Sequence, residues 1–403
     1  MSSINLKDRI VFIGIGQCGG NIASEASKAG FKTGAINTST EDLNAENMRT
    51  VAHKLTIGGS IGGCAKERKL GQKIVKAEYQ DIIDFIGSNF LEEKSKEYAK
   101  AGQKMIVYLC FSSSGGTGSG VGPILLSVLQ KVYKEVCFSV IVVTPSEDES
   151  LIAINNSLKC LEELYKLDIP IMIADNNNAK NKNSRQSIYN SVNTEIINSI
   201  SRIVKDRTFS NISNIDIKDK SKLLTTNGLS IITSIPVMDT ELKDKSTLAK
   251  AIEASFSSNV YAKLNFDKQV KIAGFFFEMP EKYSKLIDYN EILSNVGTPL
   301  EIFEGIYPYE NEENEKATAI ITTILVGLSF PESKIKSLSN IISSKGKEVK
   351  KSERKTDLFK STSPLDSLFE NDSKSSINLF EDFEDEEEDN EDINLEDVFK
   401  NFF

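Results

Sequence analysis

The chain has 403 residues, 39% of them hydrophobic, with a formal net charge of −10, which is length enough for two domains with their own cores. Residues 381–397 hold twelve carboxylates and no basic residue, so the remaining sequence sums to +2 and its bulk charge excludes an obvious direct nucleic-acid binder. Five cysteines (18, 64, 110, 137 and 160) without CxxC spacing argue for a reducing compartment and against a disulfide framework or zinc site, and the single His53 excludes multi-histidine metal chemistry.

In chain order, Arg9–Gly14 is a short apolar run that opens into a glycine turn and a helical pattern over Asn21–Ala29. Phe31–Asn37 reads as a second strand, followed by a glycine-rich segment at Gly58–Ala65. Met105–Phe111, Phe138–Thr144 and Ile169–Ala174 are further apolar runs, with a helix-like stretch over Val121–Tyr133. Such runs suit strands buried on both faces and separated by helices, as in a parallel α/β sheet. Ser184–Asp206 reads as one long helix, because Ile188, Val192, Ile196, Ile200 and Val204 recur every four residues. A polar loop is expected over Ser210–Lys222, with Lys218, Lys220 and Lys222 solvated. Leu229–Val237, Val270–Glu278 and Ala317–Leu328 read as strands of a smaller α/β unit, with a helical interval at Asp239–Leu264. Pro331–Lys350 reads as a last basic helix, and the Ser-, Asn- and acid-rich sequence from about Arg354 as disorder. No apolar run reaches the roughly 18 residues of a membrane span, and the N-terminal residues lack a signal-peptide pattern, so a cytoplasmic protein is expected.

Residues 112–120 read Ser-Ser-Ser-Gly-Gly-Thr-Gly-Ser-Gly between a strand and a helix. Bare backbone in that setting suits close approach of N–H groups to a phosphate at a helix N-terminus. A flexible Gly/Ser linker is the alternative. Gly14-Ile-Gly16-Gln-Cys-Gly19 fits the GxGxxG dinucleotide pattern, which also leaves a nicotinamide-dependent oxidoreductase open. A NAD reader wants an acid at the end of the second strand, where this chain has Asn37-Thr38-Ser39-Thr40 and acids only at Glu41 and Asp42. There is no GxxxxGK[ST] phosphate loop.

Two separate glycine turns with a third between them resemble the tubulin/FtsZ superfamily. IGIGQCGGN at 13–21 is similar to its first nucleotide loop, and SGGTGSG at 114–120 to its GGGTGSG signature, with Ser114 in place of the first glycine. The resemblance covers about residues 8–330. It implies an α/β chain with a Rossmann-like parallel-sheet GTPase domain (1–183), a long central helix (184–209), a smaller α/β C-terminal domain with the catalytic loop (210–332), a C-terminal helix (333–353) and a disordered acidic tail (354–403). It implies nucleotide contacts at Gly16, Gln17, Cys18 and Asn21 in the first loop, and at Ser114, Gly115, Gly116, Thr117, Gly118 and Ser119 in the second. GGCAKERK at 62–69 is similar to the loop approaching the γ-phosphate, which implies Gly63, Cys64, Ala65 and Lys66. Thr144-Pro145-Ser146 and Asn155 resemble the ribose side, and IADNNNA at 173–179 the loop whose Asn176 reads the guanine edge. Tyr189 and Asn193 lie one helical turn apart, so one face can stack on the base and read it. The implied ligands are GTP and Mg²⁺, with the metal-positioning residue unassigned.

NIDIKD at 214–219 matches the family's NxDxxD catalytic loop, which implies catalytic roles for Asn214, Asp216 and Asp219. Hydrolysis needs a water held in line with the γ-phosphate. These carboxylates lie about 20 residues beyond the base-binding part of the long helix, a span of about 30 Å. The resemblance therefore implies that they serve the next subunit's nucleotide in a head-to-tail filament. A solvated polar loop is the alternative, and the resemblance leaves open that one of Lys218, Lys220 and Lys222 faces the neighbour's phosphates instead of solvent. The CxKERK segment, the DNN loop and the SKLLT run look most like the TubZ type carried by plasmids and phages of Gram-positive bacteria. That likeness implies DNA segregation and a tail that reaches a DNA-bound adaptor of the TubR type without direct nucleic-acid or membrane binding. Leu358-Phe359, Leu368-Phe369, Leu379-Phe380 and the terminal DVFKNFF suit short-motif docking, with simple solubilisation the alternative. A phage-centring spindle, a division protein and a non-polymerising nucleotide-dependent regulator also stay open.

Overall fold

The computed structural model describes residues 5–263, 270–294, 297–309 and 318–355. The first apolar run forms β1 (Ile10–Ile15), buried at every position. It runs straight into α1 (Gly16–Lys28), which returns along β2 (Lys32–Asn37) and leads to the one-turn α2 (Thr40–Leu43). After β3 (His53–Thr56) come α3 (Arg68–Ile86) and α4 (Glu92–Lys100). The three fully apolar runs become β4 (Ile106–Ser112), β5 (Cys137–Thr144) and β6 (Pro170–Asp175), separated by α5 (Thr117–Val132) and α6 (Leu151–Tyr165). The four-residue periodicity produces α7 (Arg185–Val204), which buries Val192, Ile196, Ile200 and Val204. Then follow α8 (Ile217–Thr225), β7 (Gly228–Val237), α9 (Lys245–Ser257), β8 (Ile272–Glu278), α10 (Tyr289–Ser294), β9 (Glu301–Tyr307), β10 (Ala319–Leu328) and α11 (Glu332–Lys355).

One sheet runs through the molecule in the order β3-β2-β1-β4-β5-β6-β7-β10-β8-β9. The first six strands are parallel, and their order reverses between β1 and β4. Open α/β sheets bind ligands outside the carboxyl ends of the strands at such a reversal. β10 runs antiparallel to both β7 and β8. β7 pairs with β6 through two residue pairs, Pro170↔Gly228 and Ile171↔Leu229, and the 260–262 segment bonds to the rest of β6, the Asp175 N–H donating to the Val260 carbonyl and the Ala262 N–H to the Ile173 carbonyl, each at 2.8 Å. α7 packs against α1 and against β7 and β10, and so spans that narrow seam. Gly19 lets α1 lie directly on β4, because a Cβ there would fall on the Cys110 carbonyl.

Several boundaries differ from the sequence expectation. α1 starts at Gly16, not Asn21, and α5 at Thr117, not Val121, so each glycine turn is itself the first turn of a helix. The segment expected to be loop to Lys222 is helical from Ile217, because Asp216 caps it. Lys218 and Lys222 are exposed, but Lys220 is buried and donates to the Lys205 carbonyl at 2.9 Å, which corrects the expectation that all three are solvated. β3 and β9 carry no continuous apolar run, since they are the two outer strands and are only partly covered. The acidic tail and its Leu-Phe pairs lie outside the described residues.

Candidate functional site

A cavity of about 390 Å³ opens at the strand-order reversal, lined by the residues that follow β1 and β4. Two helices begin on it, α1 at Gly16 and α5 at Thr117, and neither has a side-chain cap or an acid in its first turn. By contrast α6, α7, α8 and α9 are capped by Ser150, Ser184, Asp216 and Asp244. Each uncapped start leaves backbone N–H donors without intrahelical partners and a partial charge of roughly +0.5. An anion is the natural counterpart. Gly16 holds φ +71°, and Gly115 has open space where a Cβ would stand. A Cβ on Gly116 would meet the Cys64 Cβ at 2.7 Å and the Glu67 nitrogen at 2.9 Å, so this glycine lets the third loop close over the second. Ser114, in place of a glycine, needs no positive φ, and its hydroxyl pairs with that of Ser112 at 2.8 Å.

The third loop is the strained part of the site. Among the described residues every non-glycine position with positive φ lies in it: Ser60, Ala65 and Lys66, at 59°, 46° and 65°. Such conformations cost on the order of 1–3 kcal/mol each and persist where surroundings over-determine them. Asn156 supplies part of that hold, donating to the Lys66 carbonyl at 2.7 Å and the Ser114 carbonyl at 3.3 Å. The exposed Lys66 ammonium donates to the Ser150 hydroxyl at 3.2 Å at the cavity edge.

The opposite wall comes from α7 and from the segments after β2, β5 and β6. Asn176, Arg185, Tyr189 and Asn193 all line it, with Asn176 and Asn193 buried. Glu149 joins them, and its charge raises the pKa of two neighbours. Burial first and Glu149 second push the Cys18 thiol up to about 12, and the same two causes raise Tyr189. Both groups are therefore neutral hydrogen-bond donors near pH 7. Asp42 accepts from Gln17 at 3.3 Å on one oxygen and from Asn37 at 3.1 Å on the other. The acid that a dinucleotide reader would turn to a ribose is thus engaged by two amides, which weighs against the oxidoreductase alternative.

Asn214, Asp216 and Asp219 do not line this cavity; they lie beyond the far end of α7, whose 20 residues span about 30 Å. The Asp216 Oδ1 accepts the Lys218 and Asp219 N–H groups at 2.7 and 2.9 Å, and the Asp219 Oδ2 accepts the Asp216 N–H at 3.0 Å, a reciprocal capping box. Each carboxylate keeps its second oxygen without a protein hydrogen bond among the described residues. Burial raises the pKa of Asp219 from its ordinary value. Asn214 closes the preceding turn through Ser210, and the Tyr307 hydroxyl accepts the Ile215 N–H at 2.9 Å.

The cavity gathers Gly16, Gln17, Cys18, Asn21, Gly63, Cys64, Lys66, Ser114, Gly115, Gly116, Thr117 and Gly118 together with Asn176, Tyr189 and Asn193. Ala65, Ser119 and Asn155 do not line it. The Ser119 hydroxyl instead donates back to the Gly115 carbonyl, and Asn156, next to Asn155, ties the second and third loops. Glu149 and Arg185 line it although the sequence did not single them out, and so do Asn37 and Asp42, which the sequence raised only in weighing a dinucleotide reader. Position would have found Arg185, which opens the long helix behind its Ser184 cap.

Residues 9–184 match the tubulin/FtsZ family, GTPase domain. The chain carries a tubulin/FtsZ GTPase domain. It is 26% identical over 343 residues to the tubulin-like protein CetZ of Thermococcus kodakarensis, covering 83% of this chain and 85% of that one. It is 25% identical over 350 residues to the tubulin-like protein TubZ of Clostridium botulinum C phage, covering 85% of each. The fold matches the GTPγS-form protofilament of Bacillus thuringiensis serovar israelensis TubZ with a TM-score of 0.71 at 17% identity, over 87% of this chain and 95% of the other. The matched family is one of GTPases, and the cavity has room and chemistry for a nucleotide: uncapped helix starts line one part of it and an aromatic with two amides another.

Proposed function

We propose that the chain is a filament-forming GTPase that binds GTP with Mg²⁺ in the 390 Å³ cavity and hydrolyses it only where the next molecule supplies Asn214, Asp216 and Asp219. In this reading the first two glycine loops cradle the phosphates through backbone N–H groups. Lys66 and the third loop approach the γ-phosphate, while Tyr189, Asn193 and Asn176 hold the base. Among the described residues no group of three or more His, Cys, Asp or Glu side chains forms, so the triphosphate itself would supply much of the cation's oxygen shell. The free carboxylate oxygens at 216 and 219 orient and polarise the attacking water.

The observation that carries this is the separation of the two halves. The uncapped helices and the capped carboxylates stand at opposite ends of α7, so one molecule cannot bring both to one phosphate. A head-to-tail contact repeats without closing and generates a filament. The TubZ relative is a phage protein, and a role in moving plasmid or phage DNA in a bacterial cytoplasm follows from that likeness, with an adaptor taken up by the acidic tail. The working division is a nucleotide unit over 1–183, the central helix, a catalytic and C-terminal unit over 210–332, and the helix and tail beyond. Phosphate release per molecule, measured against protein concentration, tests the reading. An intermolecular site gives specific activity that climbs steeply above a threshold together with light scattering. Constant specific activity from dilute to concentrated protein overturns it.

A further inference from the structure

Helix α11 is fastened to the rest of the molecule by a buried cation. Lys334, in its first turn, is 5% exposed, and its ammonium donates to the Asp175 Oδ1 at 2.7 Å and to the Pro145 carbonyl at 3.0 Å. A lysine at that depth persists only when paired and hydrogen-bonded. Asp175 is the last residue of β6 and is equally buried; its Oδ1 also accepts the Asn177 N–H at 3.0 Å, which fixes the turn that carries Asn176 into the cavity. Pro145 opens the segment after β5 that carries Glu149 to the same wall. One turn further along α11, the Ser337 hydroxyl donates to the Glu147 Oε1 at 2.5 Å, and the Glu147 N–H donates to the Asn177 Oδ1 at 3.3 Å. Lys334 and Ser337 share one helix face. Neither lines the cavity, yet together they hold both segments that do.

We propose that Lys334 is a positioning residue for nucleotide binding, through which α11 clamps the base and ribose side of the cavity. The inference rests on reading the cavity as the nucleotide site. Without the ammonium, the Asp175 carboxylate is left buried and unpaired, and it must reach water or take a proton, either of which frees the 176–178 turn. The phosphate side hangs on β1 and β4 and on the contact between α3 and α5, so the loss falls on one half of the ligand. Linkage is reciprocal: a helix that tightens the cavity is itself tightened by its ligand.

The experiment titrates GTP and inorganic triphosphate into the full chain, as wild type, Lys334→Met, Lys334→Arg, Asp175→Asn and the Asp175→Asn/Lys334→Met pair. The expected result is about tenfold weaker GTP binding by Lys334→Met with triphosphate binding held within about twofold. Lys334→Arg and the double variant, which strands no charge, recover part of the loss. GTP affinity unchanged in Lys334→Met, or equal loss of GTP and triphosphate, overturns the clamp while leaving the nucleotide site standing. Wild type that binds neither probe sinks the nucleotide reading, and the clamp with it. Should Lys334→Met fail to fold, hydrogen exchange on the wild type decides. Amides in the first turns of α11 slow when GTP is added, and unchanged exchange there overturns the inference.

Discussion

The two ends of α7 are built on opposite principles. At its N-terminal end, α1 starts on Gly16 and α5 on Thr117 behind Gly116, and both leave their first N–H groups unanswered by any side chain. At its C-terminal end, α8 starts on Asp216, and Asp219 reaches back to complete the cap. The first arrangement leaves donors that an anion would satisfy; the second is complete in itself and keeps one oxygen of each carboxylate without a protein hydrogen bond among the described residues. A binding site can be made of missing partners, whereas groups that polarise a water must already be held in place.

The sharpest way to break this contrast is Gly116→Val. Its Cβ lands on Cys64 and the Glu67 nitrogen, so the second and third loops cannot both keep their positions, and calorimetry should find GTP binding lost. Retained affinity would show that the cradle does not need that contact. Asp216→Ala and Asp219→Ala probe the other end. Each should slow phosphate release by roughly 10²–10⁴-fold, leave GTP affinity unchanged and accumulate static filaments. Undiminished release by the double variant would remove these carboxylates from the chemistry. Tyr189→Ala is expected to weaken GTP by about tenfold, close to the loss of one aromatic stack, without altering hydrolysis per bound nucleotide.

The smallest effect is a pH dependence beneath the carboxylate loop. Burial, with the Arg207 charge second, lowers Lys220 from 10.5 to about 8. Between those values the unfolded chain binds a proton that the folded chain has released, so this group makes stability rise with pH across that window. Lys220→Met should remove the rise, and the difference in Tm between wild type and variant should change by a few degrees between pH 8 and 10. A constant difference would mean that Lys220 keeps its ordinary charge when buried.

Much of this was legible in the sequence because one signal dominated each element. Continuous apolar runs marked the buried strands, and the repeat from Ile188 to Val204 marked α7. The edge strands β3 and β9 were not legible, since half-covered strands lack that signature. Helix starts were misplaced at both glycine loops, because glycine reads as a turn unless the flanking packing is known. The motif residues of the cavity could be named, but its wall could not be completed. Glu149 looks like an ordinary surface acid, and only tertiary geometry turns it inward. Lys220 was misread for the same reason, as nothing in a run of alternating lysines tells which one faces the Lys205 carbonyl.

The join between β6 and β7 has a mechanical meaning. A sheet resists shear in proportion to the ladder bonds that cross each line, and here two residue pairs cross where the neighbouring β7–β10 line has nine. Beyond those pairs the line is crossed by α7, by the 260–262 segment that hydrogen-bonds to β6, and by α11, which lies on α6 and reaches Asp175 through Lys334. Shear between the two halves of the sheet therefore falls on side-chain and helix contacts more than on the ladder itself.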